Sequence, residues 1–148
     1  MKKESLKILC SSRAYQVLKK HMQLDVEELW CLALGPSLNL IDIKMIFRGT
    51  IDSCIAHPRD IFRFACLKNA TQLIIAHNHP SGDPTPSPQD IEFTRKLINL
   101  GYIIEIPVVD HLILTTHSYY SIAESELLDF EKDLIPQENN IFKTSLQG

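Results

Sequence analysis

Short apolar runs alternate with amphipathic segments along most of the chain. Apolar positions recur at helical spacing over residues 14–22, directly after a pair of serines that can cap a helix. A second helix is predicted to begin at Pro58 and to end at Asn69. A third is predicted to begin beside Pro88 and to end before Gly101, which would take the C-terminal cap position.

Apolar runs without helical spacing predict the strands. They cover residues 29–34, 38–47, 73–76, 103–109 and 111–115, and residues 51–56 are a candidate extension of the sheet. Helices that alternate with strands in this order are typical of an α/β domain with helices on both faces of one sheet. We therefore expect a three-layer α-β-α sandwich around a mixed sheet.

The composition fits one ordinary globular domain. The chain has 148 residues, of which 45% are hydrophobic and 22% charged, and its net charge of -3 shows no basic excess for general nucleic-acid binding. Its cysteines form no C-x-x-C pair, and we expect Cys31, Cys54 and Cys66 to be buried thiols in a reducing compartment. No apolar run approaches the roughly 20 residues of a membrane span, so a cytoplasmic protein without a signal peptide is expected.

The residues that could bind a metal or take part in catalysis are concentrated between positions 77 and 90. His77 and His79 lie two apart at the end of a buried strand, so their side chains point to the same face. Asp90 lies in the first turn of the next helix, and the proline-rich loop between them has few conformations. Two imidazoles and one carboxylate suit Zn²⁺ and leave a fourth position for water, whose pKa zinc lowers to about 7.

Each half of this pattern also has an ordinary structural explanation. The segment from Ser87 to Asp90 is typical of a capping box, with Ser at the N-cap and an acid three residues later. A His-x-His pair on a strand is by itself weak evidence for a metal. Together the two halves supply three ligands, so we favour a zinc site. A nucleobase deaminase is excluded because position 79 is His rather than Glu and no C-x-x-C is present.

The spacing His-x-His, seven residues, Ser, two residues, Asp resembles the JAMM motif of the JAB/MPN metalloproteases. The longer string from His77 to Ser87 is similar to the bacterial RadC family, named for a proposed role in DNA repair. The resemblance runs from about residue 27 to 121 and includes the pairs at 49–50, 57–58, 110–111 and 120–121. It implies a deaminase-like JAB/MPN fold for residues 1–123. A C-terminal extension follows over 124–148, with a short helix expected at 124–134 and a flexible tail.

The resemblance also implies an activity. It implies a zinc peptidase or isopeptidase with one zinc per chain on His77, His79 and Asp90, acting on a peptide or protein substrate through a zinc-activated water. Glu27 matches the general base of the JAMM family, with the adjacent Glu28 as an alternative one position away. Ser87 would hydrogen-bond the oxyanion as it forms.

Two other functions stay open. The RadC name implies a DNA-associated accessory protein. Full-length RadC proteins, however, resemble a helix-hairpin-helix segment followed by the JAB domain, whereas only one helix is predicted here before the first strand. A descendant that keeps zinc for stability, or that binds a peptide end, is the other. Two single residues also carry alternatives. His111 either orients a metal ligand or is a hydrogen-bonded core histidine, and Asp83 is expected to form a turn.

Overall fold

The computed structural model of the chain describes residues 5–49 and 56–130. Within these ranges the helices and strands follow in the order α1 (Ser11–Lys19), β1 (Glu27–Leu34), β2 (Leu40–Gly49), α2 (Pro58–Leu67), β3 (Gln72–Asn78), α3 (Pro88–Ile103), β4 (Val108–Leu114) and β5 (Tyr119–Ser121). None of the helices described is long and apolar enough to cross a membrane.

The strands form one mixed sheet in the order β2-β1-β3-β4-β5. Strands β3 and β4 are parallel, whereas every other neighbouring pair is antiparallel. A parallel pair needs a crossover connection, and α3 supplies it. The crossover matters for the site because it returns from the end of β3, where the two histidines lie.

Helices cover both faces of the sheet, as expected. Leu29 and Cys31 of β1 pack on one face with Ile61 of α2, in a cluster that also holds residues of α3. Leu32, the residue after Cys31, packs on the other face with Leu18 of α1. Successive strand residues point to opposite faces, so β1 is apolar on both sides, as a central strand must be. The predicted α-β-α sandwich is confirmed.

The end of α3 differs from the prediction. Gly101 does not end the helix; it lies inside α3, which continues to Ile103. Glu105 adopts φ 60° and takes the left-handed position usually given to glycine. The N–H of Glu105 bonds to the carbonyl of Tyr102, and that of Ile106 to the carbonyl of Gly101, which completes a Schellman motif.

Three further expectations change. The strand predicted over 103–109 is wrong, because the first half of this segment forms the end of α3 and the connection after it. A single strand, β4, stands in place of the two strands predicted over 103–109 and 111–115. Residues 124–130 form turns rather than the expected helix, and Leu128 packs against Ile98 and Ile113. Cys31 is buried as expected. Cys66, which was also expected to be buried, is exposed on α2, next to the buried Ala65.

Other expectations fall outside the described ranges. They concern Cys54, most of the candidate sheet extension at 51–56, and residues 131–148 of the C-terminal extension. The boundary drawn between the domain and its extension at residue 123 stays a prediction.

Gly101 provides a test of how α3 meets β4. An added Cβ would lie 2.7 Å from the backbone oxygen of Ile106, closer than such atoms approach. We expect Gly101→Ala to destabilise the fold by about 1–3 kcal/mol through overpacking, although alanine in an open helix stabilises by about 1 kcal/mol. Urea unfolding measures this, with exposed Lys96→Ala as a control expected within about 0.5 kcal/mol of wild type. A Gly101→Ala protein as stable as wild type would show that this turn can move.

Candidate metal centre

Three side chains with metal-binding atoms meet at the end of β3. His77 is the penultimate residue of β3, His79 follows the strand, and Asp90 lies in the first turn of α3. One ligand atom from each lies within 4.8 Å of the others, so the group could hold a metal ion. The sequence prediction that these three residues converge is confirmed.

The distances fit a small tetrahedral ion. His77 Nε2 lies 3.0 Å from His79 Nε2 and 3.2 Å from Asp90 Oδ1, and His79 Nε2 lies 3.1 Å from Asp90 Oδ2. Zinc bonds of about 2.0–2.2 Å at tetrahedral angles would place ligand atoms about 3.3 Å apart. Little movement would therefore be needed for this donor set to surround zinc.

Asp90 belongs to a capping box and to the donor set at once. Its N–H donates to Ser87 Oγ at 3.1 Å, and its Oδ2 accepts from the Ser87 N–H at 2.8 Å. The same carboxylate faces both imidazoles. The structural and metal-binding explanations of this segment are thus compatible. The serine oxygen uses a lone pair in the cap, so its hydroxyl hydrogen remains available for donation.

The loop after β3 orients His79. Its backbone N–H donates to the carbonyl of Leu114, and its Nδ1 lies 2.9 Å from the carbonyl oxygen of Asp83. A carbonyl only accepts, so Nδ1 carries a hydrogen and Nε2 is the atom turned towards Asp90. The Asp83 side chain accepts from the Thr85 N–H at 2.9 Å, which confirms its turn role.

The charges of the donor set are strongly coupled. Burial raises the pKa of Asp90, but the neighbouring imidazoles of His77 and His79 outweigh burial and hold that pKa well below its usual range. The hydrogen bond to Asp90 raises the pKa of His79, against the opposing effect of burial. In the metal-free protein, the Asp90 carboxylate therefore favours the protonated form of His79.

The two glutamates at the start of β1 have different surroundings. Glu28 is buried, and its Oε2 accepts from the indole N–H of Trp30 at 2.7 Å and the backbone N–H of Gln23 at 3.1 Å. Glu27 points to the opposite face, the one shared with Leu29, which pairs with His77 across the sheet. Its negative charge adds to the raised pKa of His79, after the larger effect of Asp90. The structure thus turns Glu27 towards the histidines.

Asn78 is a site residue that the sequence analysis missed. It is fully buried between the two histidines; its Oδ1 accepts from the Glu28 N–H, and its amide donates to the Val26 carbonyl, both at 2.8 Å. These bonds hold the start of β1 against the end of β3, and with it Glu27. A polar side chain between two histidines on a buried strand was the available signal.

His111 is a hydrogen-bonded core histidine that contacts His77. The ring is a core histidine, 1% exposed, and its Nε2 lies 2.7 Å from His77 Nδ1. Its Nδ1 lies 2.6 Å from the hydroxyl oxygen of Thr94, a residue the sequence analysis did not single out. Burial lowers the pKa of His111 well below its ordinary value, so the ring is neutral. The preceding Asp110 accepts from the His111 N–H and from the Ser121 hydroxyl, which fixes the backbone here.

Comparison with known proteins gives a consistent family. A family model described as RadC-like JAB domain matches residues 8–127. A UPF0758 protein of Enterococcus faecalis is 40% identical over 126 residues, which cover 84% of this chain and 54% of the relative. One from Symbiobacterium thermophilum is 40% identical over 122 residues, covering 81% and 52%, and one from Bacillus cereus is 43% identical over 101 residues, covering 68% and 45%.

The chain spans about half the length of these curated relatives. Within that span the family model runs from before α1 to beyond β5, and so contains both the whole sheet and the three candidate ligands. The chain belongs to the RadC-like JAB domain family.

Proposed function

We propose that this protein is a zinc-dependent hydrolase that cleaves a peptide or isopeptide bond. The observation that carries the proposal is the convergence of His77, His79 and Asp90 beside a strand start that turns Glu27 to the same face. One zinc per chain and a cytoplasmic location belong to the same proposal. Because the chain covers about half of its relatives, the substrate is proposed only as a class, a peptide or protein.

The donor set suits the proposed metal. Zinc held by two imidazoles and one carboxylate would supply a Lewis acid that polarises a carbonyl and makes water acidic near neutral pH. His77 and His79 would bind it through Nε2, the atoms that lie 3.0 Å apart. Asp90 would bind it through the carboxylate that the capping box orients.

The remaining groups would move the protons and stabilise charge. Glu27 would accept a proton from the attacking water and deliver it to the nitrogen of the leaving amine. Water then supplies the oxygen of the new carboxylate as the C–N bond breaks. Ser87, whose hydroxyl hydrogen the cap does not use, would donate to the oxyanion. Association with DNA, which the family name implies, stays a prediction.

Replacing Glu27 tests the catalytic part of the proposal. We expect Glu27→Gln to retain its zinc and to lose about 10²–10⁴-fold in hydrolysis of a panel of peptide and isopeptide substrates, because the base is gone while the ligands remain. The measurement is turnover per zinc-loaded chain. Glu28→Gln is the matched control: it disturbs the bonds from Trp30 and Gln23 and should reduce stability, but folded protein should keep its turnover. Equal activity of Glu27→Gln and wild type would contradict the proposal.

The charge coupling predicts how zinc affinity depends on pH. Below the raised pKa of His79, its imidazole is protonated and paired with Asp90, so zinc must displace that proton. We expect affinity to fall about tenfold per pH unit below that pKa for each proton displaced, as measured by competition with a coloured chelator. An affinity that stays constant or rises on acidification would contradict the assignment of His79 as a ligand.

The same coupling has a consequence for the metal-free fold. A raised pKa means that the His79–Asp90 pair stabilises the folded state fully below pH about 6.5, the ordinary histidine value. This contribution is lost as the pH rises through the raised value. His79→Ala removes it, so urea midpoints of the two metal-free proteins should converge towards high pH.

A further inference from the structure

A buried chain of hydrogen bonds joins two of the candidate ligands behind the metal-binding face. His77 Nδ1 lies 2.7 Å from His111 Nε2, and His111 Nδ1 lies 2.6 Å from Thr94 Oγ1. The Thr94 hydroxyl in turn donates to the backbone carbonyl of Asp90 at 2.6 Å. His77 is 4% exposed, His111 1% and Thr94 not at all, so water has little access to these groups.

The direction of each hydrogen bond follows from the last acceptor in the series, the Asp90 carbonyl. The Asp90 carbonyl can only accept, so the single hydrogen of the Thr94 hydroxyl points to it. The threonine oxygen must then accept from His111, which places the ring hydrogen of His111 on Nδ1. A neutral ring has one such hydrogen, so His111 Nε2 offers a lone pair and accepts from His77 Nδ1.

We propose that Thr94 and His111 are positioning residues that set the tautomer of His77. With its hydrogen held on Nδ1, His77 presents the lone pair of Nε2 towards His79 and Asp90, where a metal would bind. This inference rests on the proposed metal role of His77. It assigns Thr94, one helical turn beyond Asp90, a function that depends on its hydroxyl and not on its volume.

This series of hydrogen bonds also predicts how the histidine tautomers change when the Thr94 hydroxyl is removed. If position 94 cannot accept, a hydrogen on His111 Nδ1 is buried without a partner, which is costly. The ring then favours its hydrogen on Nε2, where it donates to His77 Nδ1. His77 must in turn carry its hydrogen on Nε2, and that hydrogen occupies the position that the metal needs.

The test compares Thr94→Val, which keeps the shape and removes the hydroxyl, with Thr94→Ser, which keeps the hydroxyl. Ring-nitrogen NMR of the metal-free proteins reports which nitrogen of each histidine carries the hydrogen. We expect Nδ1–H on His77 and His111 in wild type and in Thr94→Ser, and Nε2–H in Thr94→Val. Zinc affinity should fall about 10–100-fold in Thr94→Val and stay near wild type in Thr94→Ser.

Two results would overturn the inference. One is Nε2–H on His77 in the wild-type protein, which needs no variant to fold. The other is a Thr94→Val protein that keeps both Nδ1 hydrogens or binds zinc as tightly as wild type. A wild type with the expected tautomers that binds no zinc would instead refute the proposed function, while the tautomer readout would still support the control of His77 by Thr94 and His111.

Discussion

The arrangement of the site depends on the contacts of one group, the Asp90 carboxylate. It accepts the Ser87 N–H at the start of α3 and at the same time faces both imidazoles. A side chain free to rotate would lose that freedom when a ligand bound, whereas here the cap has already restricted it. The cap therefore contributes to helix stability and to preorganisation of the donor set through one group.

The sheet topology brings the other groups to this carboxylate. Strands β3 and β4 are direct neighbours in the sheet, and they carry His77 and His111. Because the two strands are parallel, a crossover helix connects them, and this helix, α3, brings Asp90 and Thr94 to the two histidines. Strand β1 runs antiparallel to β3, so its start meets the end of β3. Asn78 joins those two ends by hydrogen bonds, and Glu27 is held at the same edge.

The sequence predicts the convergence of the three candidate ligands because these residues are close together in the chain. His77, His79 and Asp90 lie within one strand–loop–helix segment, where spacing alone indicates which side chains share a face. The sequence alone does not decide whether Glu27 or Glu28 faces the histidines, because both glutamates precede the same apolar run. The register of β1 with β3 decides it in favour of Glu27. The contacts of Glu28 with Trp30 and Gln23 then account for the second acid.

The features that the sequence did not predict depend on distant contacts or on an unusual residue. The contact between Thr94 and His111 requires the packing of α3 on β4, which no local pattern specifies. The end of α3 was misplaced because Glu105, rather than a glycine, takes the left-handed position. Strand β5 has only three residues and shows no usable alternation.

The central claim is that His77, His79 and Asp90 form a metal centre, and metal content tests it most directly. The measurement is element-resolved mass spectrometry on untagged protein after reconstitution with zinc at neutral pH, with exposed His117→Ala as the control histidine. We predict about one zinc per chain in wild type and His117→Ala, and its loss in His77→Ala and Asp90→Ala. Zinc retained in both ligand variants, or absent from the reconstituted wild type, would contradict the account.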